Sequence, residues 1–428
     1  MITRRDFSKL AGFAAGTMIA PPFSRAQKND AVKFPPSIAQ LKSRKDEVRP
    51  ITLVERQERQ ERAQHLMREN KIDAIFLSGG TSLSYFTSVR WGSSERLFAA
   101  VLPAKGEAFF VCPAFEEERA REQIATGPAG VNASVLTWQE HEDPYRLVAA
   151  GLRDLGIGAG RLGVEERTNF VFSDGIAKAA PEASITSATP VTAGCRMIKS
   201  THERELMALA NRVTLQAYEA VYRALQPGMT QFDFAGLIAA AYEKLGFRGE
   251  ASVNVAEFTA LPHGSMKPQV IREGTIVLID DGCTVEGYQS DITRTFALGK
   301  PTDKMRKVFD VVYQAQSAAL KQAKPGVTAE SVDAAARKVI SDAGYGPDYK
   351  YFSHRLGHGI GMDGHEWPYL VRGNKTPLRP GMTFSDEPGI YIRGEFGVRL
   401  EDDMWITDDG AELFTHQSPS LEDPFGKS

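Results

Sequence analysis

The chain has 428 residues, which at ~150 per domain is enough for two or three domains. Its 42 % hydrophobic and 25 % charged residues suit a chain that buries a sizeable core, and a formal charge of −3 gives no support for binding nucleic acid or an anionic membrane. Three cysteines, Cys112, Cys195 and Cys283, are too few for a disulfide scaffold, and no run of about 20 apolar residues offers a membrane anchor.

The chain opens Thr3-Arg4-Arg5-Asp6-Phe7-Ser8-Lys9, continues through a mild apolar run from Leu10 to Ala20, and reaches Ser24-Arg25-Ala26 after two prolines. A charged start, a short apolar middle and small residues before a cut are the parts of an export signal. The apolar run would be ~16 Å long as a helix, too short for a ~30 Å hydrocarbon core. The paired arginines resemble a twin-arginine (Tat) signal over residues 1–26, which implies the Tat export machinery as a partner and a periplasmic or secreted destination. A disordered basic tail is the plainer alternative.

Residues 27–50 are polar and contain proline, and are expected to form a linker or surface arm. From 51 to about 190 helices and strands alternate, predicting an α/β domain. Helical periodicity runs from Leu53 to Asn70, and strand-like runs follow at Ala74–Leu77, Phe98–Leu102 and Ala108–Cys112. Helices are expected at Phe115–Ile124 and Tyr145–Leu155, with a strand at Ser134–Trp138. A long helix from His202 to Leu225 opens a second domain, placed at 196–420.

That second domain repeats itself. Pro227-Gly228-Met229-Thr230 returns as Pro325-Gly326-Val327-Thr328, and Leu245-Gly246-Phe247 as Ala343-Gly344-Tyr345. Each copy predicts a turn, a helix and a glycine stop. Further on, Arg272-Glu273-Gly274 is echoed by Arg379-Pro380-Gly381, and the same offset places Asp280 on Glu387. Matching pairs in the same order predict a duplicated α+β unit with a pseudo-twofold axis.

Both copies carry acids on hairpins. Ile276–Ile279 reads as a buried strand ending in Asp280; with Thr284 facing Gly287 across the turn, Asp280 would lie opposite Asp291. Opposed residues on antiparallel strands have Cβ atoms ~4.5–5.5 Å apart, so two such carboxylates stay ionised only with a cation or proton between them. In the second copy a loop centred near Gly394 puts Glu387 opposite Glu401. Between the hairpins lies His354-Arg355-Leu356-Gly357-His358-Gly359-Ile360-Gly361, followed by His365. Glycines at 357, 359 and 361 argue against a helix and for close approach of the backbone.

These motifs resemble the pita-bread metallopeptidases, namely aminopeptidase P, prolidase and methionine aminopeptidase, with creatinase as a metal-free relative. The resemblance covers 200–415 through motifs and 45–190 more weakly. It implies an α+β catalytic domain preceded by a smaller creatinase-type α/β domain. It also implies that Asp280, Asp291, His358, Glu387 and Glu401 hold two divalent metal ions, with Asp291 and Glu401 bridging. His263 and His365 match histidines that steady the substrate and the developing oxyanion, and His354 one that lines the pocket after the cut. Arg399 matches an arginine that supports the site or a substrate carboxylate. Asp281, Asp386, Asp402 and Asp403 are expected to be caps or salt-bridge partners.

Carboxylate-rich ligation with one imidazole favours Mn²⁺, with Co²⁺, Zn²⁺ or Fe²⁺ as alternatives. The reaction expected is hydrolysis of an Xaa-Pro peptide bond by a hydroxide shared between the ions, with Glu387 carrying the proton. Relatives of this type form homodimers, for which Arg90-Trp91-Gly92 through Arg96 is a candidate rim. A metal-dependent hydrolase or lyase of a small non-peptide substrate is the runner-up, and a metal-free binding module the third reading.

Overall fold

The computed structural model describes residues 34–426. The signal expected at 1–26 lies outside them; of the arm, the described part holds the short helix Pro36–Ala39 and a 3₁₀ turn at Lys45–Glu47. The first long helix, Leu53–Glu69, starts where Thr52 accepts the Glu55 N–H and the Glu55 side chain accepts the Thr52 N–H in return, a capping box.

The amino-terminal half is built on a six-stranded sheet with spatial order Ser134–Trp138, Phe109–Pro113, Ala99–Pro103, Ala74–Ser78, Arg161–Val164 and Ser184–Ser187. Every residue of the three central strands is buried. Helices cover both faces, so these strands read as continuous apolar runs rather than alternating ones. Two strands that the apolar pattern did not reveal, Arg161–Val164 and Ser184–Ser187, extend the sheet in parallel. Ser184-Ile185-Thr186-Ser187 is too short and too polar to stand out by composition.

The carboxy-terminal half carries the repeat into space. Ser200 and Glu203 form a capping box that opens the helix Thr201–Tyr222, and Thr230 and Asp233 do the same for Gln231–Leu245, which stops at left-handed Gly246 (φ 93°). The second copy supplies helices Asp303–Gln322 and Ala329–Ile340, with Gly344 again left-handed after the last turn. Beside each helix pair lie antiparallel strands, Ile276–Asp280 with Arg294–Ala297 and Thr383–Asp386 with Asp402–Ile406. Among the described residues no helix is long and apolar enough to cross a membrane.

Hydrogen bonds stitch the two copies together. The Glu401 N–H donates to the Thr293 carbonyl at 3.2 Å, and the Thr295 hydroxyl donates to the Arg399 carbonyl at 2.6 Å. Arg294, fully buried, donates to the Glu401 carbonyl (2.9 Å), the His416 carbonyl (2.8 Å) and Asp402, itself fully buried (2.7 Å). Removing one partner of such a pair strands a charge. Arg294→Leu is therefore expected to lower the midpoint of urea unfolding by the equivalent of ~3–5 kcal/mol, and an unchanged midpoint would count against the pair's role.

Candidate metal centre

The first acid hairpin differs from its expected register. Glu286 (φ 51°) and Gly287 (φ 90°) are both left-handed and make a two-residue turn, so Val285 pairs with Tyr288 and Thr284 with Gln289. Ile279 then pairs with Arg294, and Asp280 comes opposite Thr293 instead of Asp291. Asp291 still reaches the site because regular pairing breaks at Asp281 (φ 121°) and Gly282. A Cβ on Gly282 would sit 2.0 Å from the Ser290 carbonyl oxygen, so only glycine lets the strands approach there.

The second hairpin keeps its expected register. Gly389 pairs with Arg399 and Ile392 with Phe396, and the same register continues in Asp386 with Asp402. Glu387 and Glu401 fall in the gap between these paired segments, facing each other. His358 arrives on the strand Gly357–Gly359. A Cβ on Gly357 would lie 2.0 Å from the Ser385 carbonyl, and one on Gly359 2.6 Å from that of Glu366. The close approach that the glycines signalled is strand to strand.

All five acids and imidazoles line one cleft of about 360 Å³ together with His263, His354, Arg355, His365 and Arg399. Ligand atoms of Asp280, Asp291 and Glu401 lie within 4.8 Å of one another, as do those of His358, Glu387 and Glu401, and those of Asp291, His358 and His365. His358 Nε2 is 3.3 Å from Glu387 Oε1 and 3.7 Å from Asp291 Oδ2. Two ligands of one ion, each at ~2.1 Å and roughly 90–110° apart, are separated by ~3.0–3.4 Å, which the His358–Glu387 pair meets and the His358–Asp291 pair exceeds slightly. His358 Nδ1 faces the Gly359 carbonyl at 3.1 Å, which fixes Nδ1 as the protonated nitrogen and leaves Nε2 as a donor to metal.

Packed this closely, the acids need a proton or a cation among them. Burial pushes Asp291 and Glu401 well above the carboxylate range, and neighbouring carboxylates push further. Burial likewise lifts Glu387 to about 8, with Asp280 adding to the rise and Arg399 opposing it. Asp280 alone is held low: burial works against it, but the Arg399 guanidinium and hydrogen bonds from Thr293 and Arg399 prevail. Burial depresses His358 to about 3, with the adjacent His365 contributing, so its imidazole is neutral as a ligand must be.

Arg399 is fully engaged. It pairs with Asp280 and donates to Thr293 Oγ1 (3.0 Å), the Tyr391 hydroxyl (3.0 Å) and the Pro262 carbonyl (3.2 Å). Both nitrogens of His354 are occupied, Nδ1 by the Arg355 carbonyl (2.8 Å) and Nε2 by the Tyr391 hydroxyl (2.7 Å). Burial holds this ring neutral too, with a value of about 3. His263 is exposed in the cleft, and the His365 ring lies 3.8 Å from that of His358.

Several residues here had no local signal. Arg167 donates to the His365 carbonyl (2.6 Å) and pairs with Asp363 (3.1 Å), while Arg196 binds Asp363 and Glu366, and Lys199 binds Glu366. Residues from 167 to 199 thus fix the loop carrying His365, a contact across nearly 200 residues that no sequence pattern encodes. Arg90 of the expected dimer rim reaches Glu286 in the hairpin turn at 3.3 Å, and Trp91 stacks on Phe98.

Asp402 is a salt-bridge partner as expected, but Asp386 is not. Its two carboxylate oxygens are buried without a hydrogen-bond partner, because Arg294 is taken by Asp402, its register neighbour. Burial, with Asp402 and Glu387 nearby, pushes Asp386 well above the carboxylate range. Asp281 lines the cleft. Asp403 accepts the backbone N–H of Asp291 (3.0 Å) and the amide of Asn211 (2.9 Å), so it positions one of the residues that could hold a metal ion. Asp403→Asn is expected to weaken metal affinity about 10–100-fold in competition with a chelator; unchanged affinity would dismiss that role.

The description "Metallopeptidase family M24" matches residues 205–408, and "Creatinase/Prolidase N-terminal domain" matches 59–198. An Xaa-Pro dipeptidase of Lactobacillus delbrueckii subsp. lactis is 34 % identical over 370 residues, covering 85 % of this chain and 98 % of that protein. The crystal structure of dipeptidase PepE from Mycobacterium ulcerans superposes with a TM-score of 0.81 at 33 % identity, covering 87 % of this chain and 99 % of that one. A dipeptidase from Pyrococcus horikoshii OT3 superposes with a TM-score of 0.77 at 34 % identity, covering 85 % and 99 %.

Proposed function

The chain belongs to metallopeptidase family M24, and from that premise we propose that it is an exopeptidase hydrolysing Xaa-Pro bonds, with dipeptides its preferred substrates. The observation that carries this is the convergence of Asp280, Asp291, His358, Glu387 and Glu401 on one cleft, beside two histidines not needed to complete the set.

Two divalent ions, if held by these residues, would supply Lewis acidity and a water that ionises near neutral pH. Mn²⁺ suits the oxygen-rich donors best, with Co²⁺, Zn²⁺ or Fe²⁺ tolerated. The protein's own groups do the rest. His263 and His365, at the open side of the cleft, donate N–H groups to the oxyanion that forms at the scissile carbonyl. Glu387 takes the proton of the attacking water on a carboxylate oxygen and passes it to the leaving nitrogen. An amide nitrogen, proline's tertiary one included, needs that proton to leave as an amine. Tyr391, His354 and Arg399 form a bonded wall that keeps Asp280 ionised and in place.

The wider proposal includes a homodimer and export by the twin-arginine route to the periplasm or beyond. The export part is supported by the amino-terminal residues Arg4-Arg5 and the apolar run after them. Product analysis by mass spectrometry tests the central reading. With residues 27–428 loaded with Mn²⁺, Xaa-Pro dipeptides are expected to be cleaved, and longer Xaa-Pro peptides left intact. Release of the first residue from longer peptides would mark an aminopeptidase, and no cleavage with two metals bound would move a non-peptide substrate to first place.

A further inference from the structure

A second cavity, of about 180 Å³, lies where the amino-terminal and catalytic domains meet, and it shares no lining residue with the metal cleft. Its volume is that of about six liquid waters, room for a molecule of about six non-hydrogen atoms. Glu165, Glu166 and Arg167 come to it from the loop after the strand Arg161–Val164, and Arg196 from the end of the helix Thr189–Arg196. Trp367 and Tyr369, on the strand Glu366–Leu370, close another side with ring centroids 4.6 Å apart. A junction between domains is a common place for a small-molecule site, and this one carries both signs of charge.

Much of that charge is spent inside the protein, and what is left over falls on both sides. Arg196, nine-tenths buried, gives Nη2 to Asp363 and Glu366 and Nη1 to the Ser82 hydroxyl, but its Nε is buried with no acceptor. A buried donor without a partner calls for an explanation. Arg167 pairs with Asp363 and the His365 carbonyl, and among the described residues its Nε also meets no acceptor. Opposite them, Glu165 accepts from the Ser82 hydroxyl on Oε1 and Glu166 from the Thr189 hydroxyl on Oε2. Among the described residues the other oxygen of each accepts nothing. Burial raises the proton affinity of Glu165; the Ser82 hydroxyl and Arg196 offset part of this, and Glu166 and Asp363 add to it. Such a carboxylate gains from an added cation.

We propose that this cavity binds a small free α-amino acid, its ammonium at Glu165 and Glu166 beside the Trp367 ring and its carboxylate toward Arg167 and Arg196. A zwitterion meets unspent acceptors and unspent donors together, and aromatic faces favour its ammonium end. A simple cation leaves the arginine donors unmet, and a simple anion faces the glutamates. Alanine, with about six non-hydrogen atoms, fills the space, whereas a long side chain does not fit. The cavity wall is also the support of His365, because Arg167 holds its carbonyl and the buried Glu366 follows it in the chain. An occupant therefore draws on the groups that fix the His365 loop. On the Xaa-Pro reading amino acids are the products, so the site makes turnover respond to what is released; this regulatory part rests on that reading, and the binding does not.

The test is calorimetric titration of the metal-loaded protein with L-alanine, and with ethylammonium and propionate, which each carry one of its charges. Wild type is expected to bind alanine with a Kd on the order of 1 mM, and either single-charge probe at least about tenfold more weakly. Glu165→Gln keeps an acceptor for Ser82 but removes the charge, and is expected to weaken alanine about 30-fold. Glu166→Gln, at an exposed position, is expected to weaken it several-fold, and decides the matter if Glu165→Gln lowers the urea midpoint. In turnover of Ala-Pro, added alanine is expected to lower kcat and raise KM in wild type, but to raise KM alone in Glu165→Gln. Alanine affinity unchanged in both variants, or matched by ethylammonium or propionate, overturns the site and leaves a cavity that holds water only. If alanine binds as expected and Ala-Pro is not cleaved, the Xaa-Pro reading falls and the site stands.

Discussion

Glu387→Gln is expected to reduce kcat by about 10³-fold while leaving KM for an Xaa-Pro dipeptide within a few-fold. Glu387 does two things in the cleft. One oxygen, Oε1, lies 3.3 Å from His358 Nε2, in the range of two ligands on one ion, and accepts from the Ser385 hydroxyl at 3.3 Å. Its other oxygen, Oε2, accepts no hydrogen bond among the described residues and is the one left to carry a proton. An amide keeps the shape and can still offer an oxygen to metal, but it cannot shuttle the proton. Metal content measured alongside kcat separates the two roles. Two ions retained with kcat within tenfold of wild type would sink the proton-carrier assignment.

Metal removal is expected to destabilise the protein, and by more the higher the pH. In the metal-free chain Asp291, Glu387 and Glu401 are raised above their unfolded values, so the folded state binds more protons than the unfolded state through this window. His354 and His358, depressed to about 3, oppose these acids up to about pH 6.5, and Asp280, held low, acts only below about 4, so the loss of stability is clearest as pH rises from about 6.5 toward about 8, the value for Glu387. Bound divalent ions displace those protons and take over the neutralising role, so metal affinity and metal stabilisation both climb with pH. At a thousandfold excess over the dissociation constant the stabilisation is ~4 kcal/mol. Thermal unfolding with Mn²⁺ and with chelator, at about pH 6.5 and about pH 8, checks this sign. A difference between the two states that stays flat or shrinks at the higher pH would show that the cluster is not a metal centre.

Local order reached far into this protein. Capping boxes at Thr52, Ser200 and Thr230 and the left-handed glycines at 246 and 344 delimit helices because each acts within a few residues. The second acid hairpin was legible to the residue, since its turn is centred on Gly394 and its register runs unbroken to Asp386 and Asp402. The first was two residues off. A left-handed Glu286 before Gly287 was not evident from composition, and one different turn residue shifts every pairing behind it.

By itself, the sequence carried the duplicated frame and the two acid-bearing hairpins in its spacing, and pointed to a five-residue ligand set through its resemblance to the pita-bread metallopeptidases. Only the tertiary structure decided what state those groups are in. Arg294 against Asp402, Asn211 against Asp403 and Arg167 against the His365 carbonyl are pairs separated by 108 to 198 residues. The same packing leaves Asp386 without a partner and neutralises Arg399. The physical reason is common to all of them. Charge in a buried site is governed by which side chains arrive within a few ångströms after folding, and desolvation acts on every acid there regardless of its neighbours in the chain.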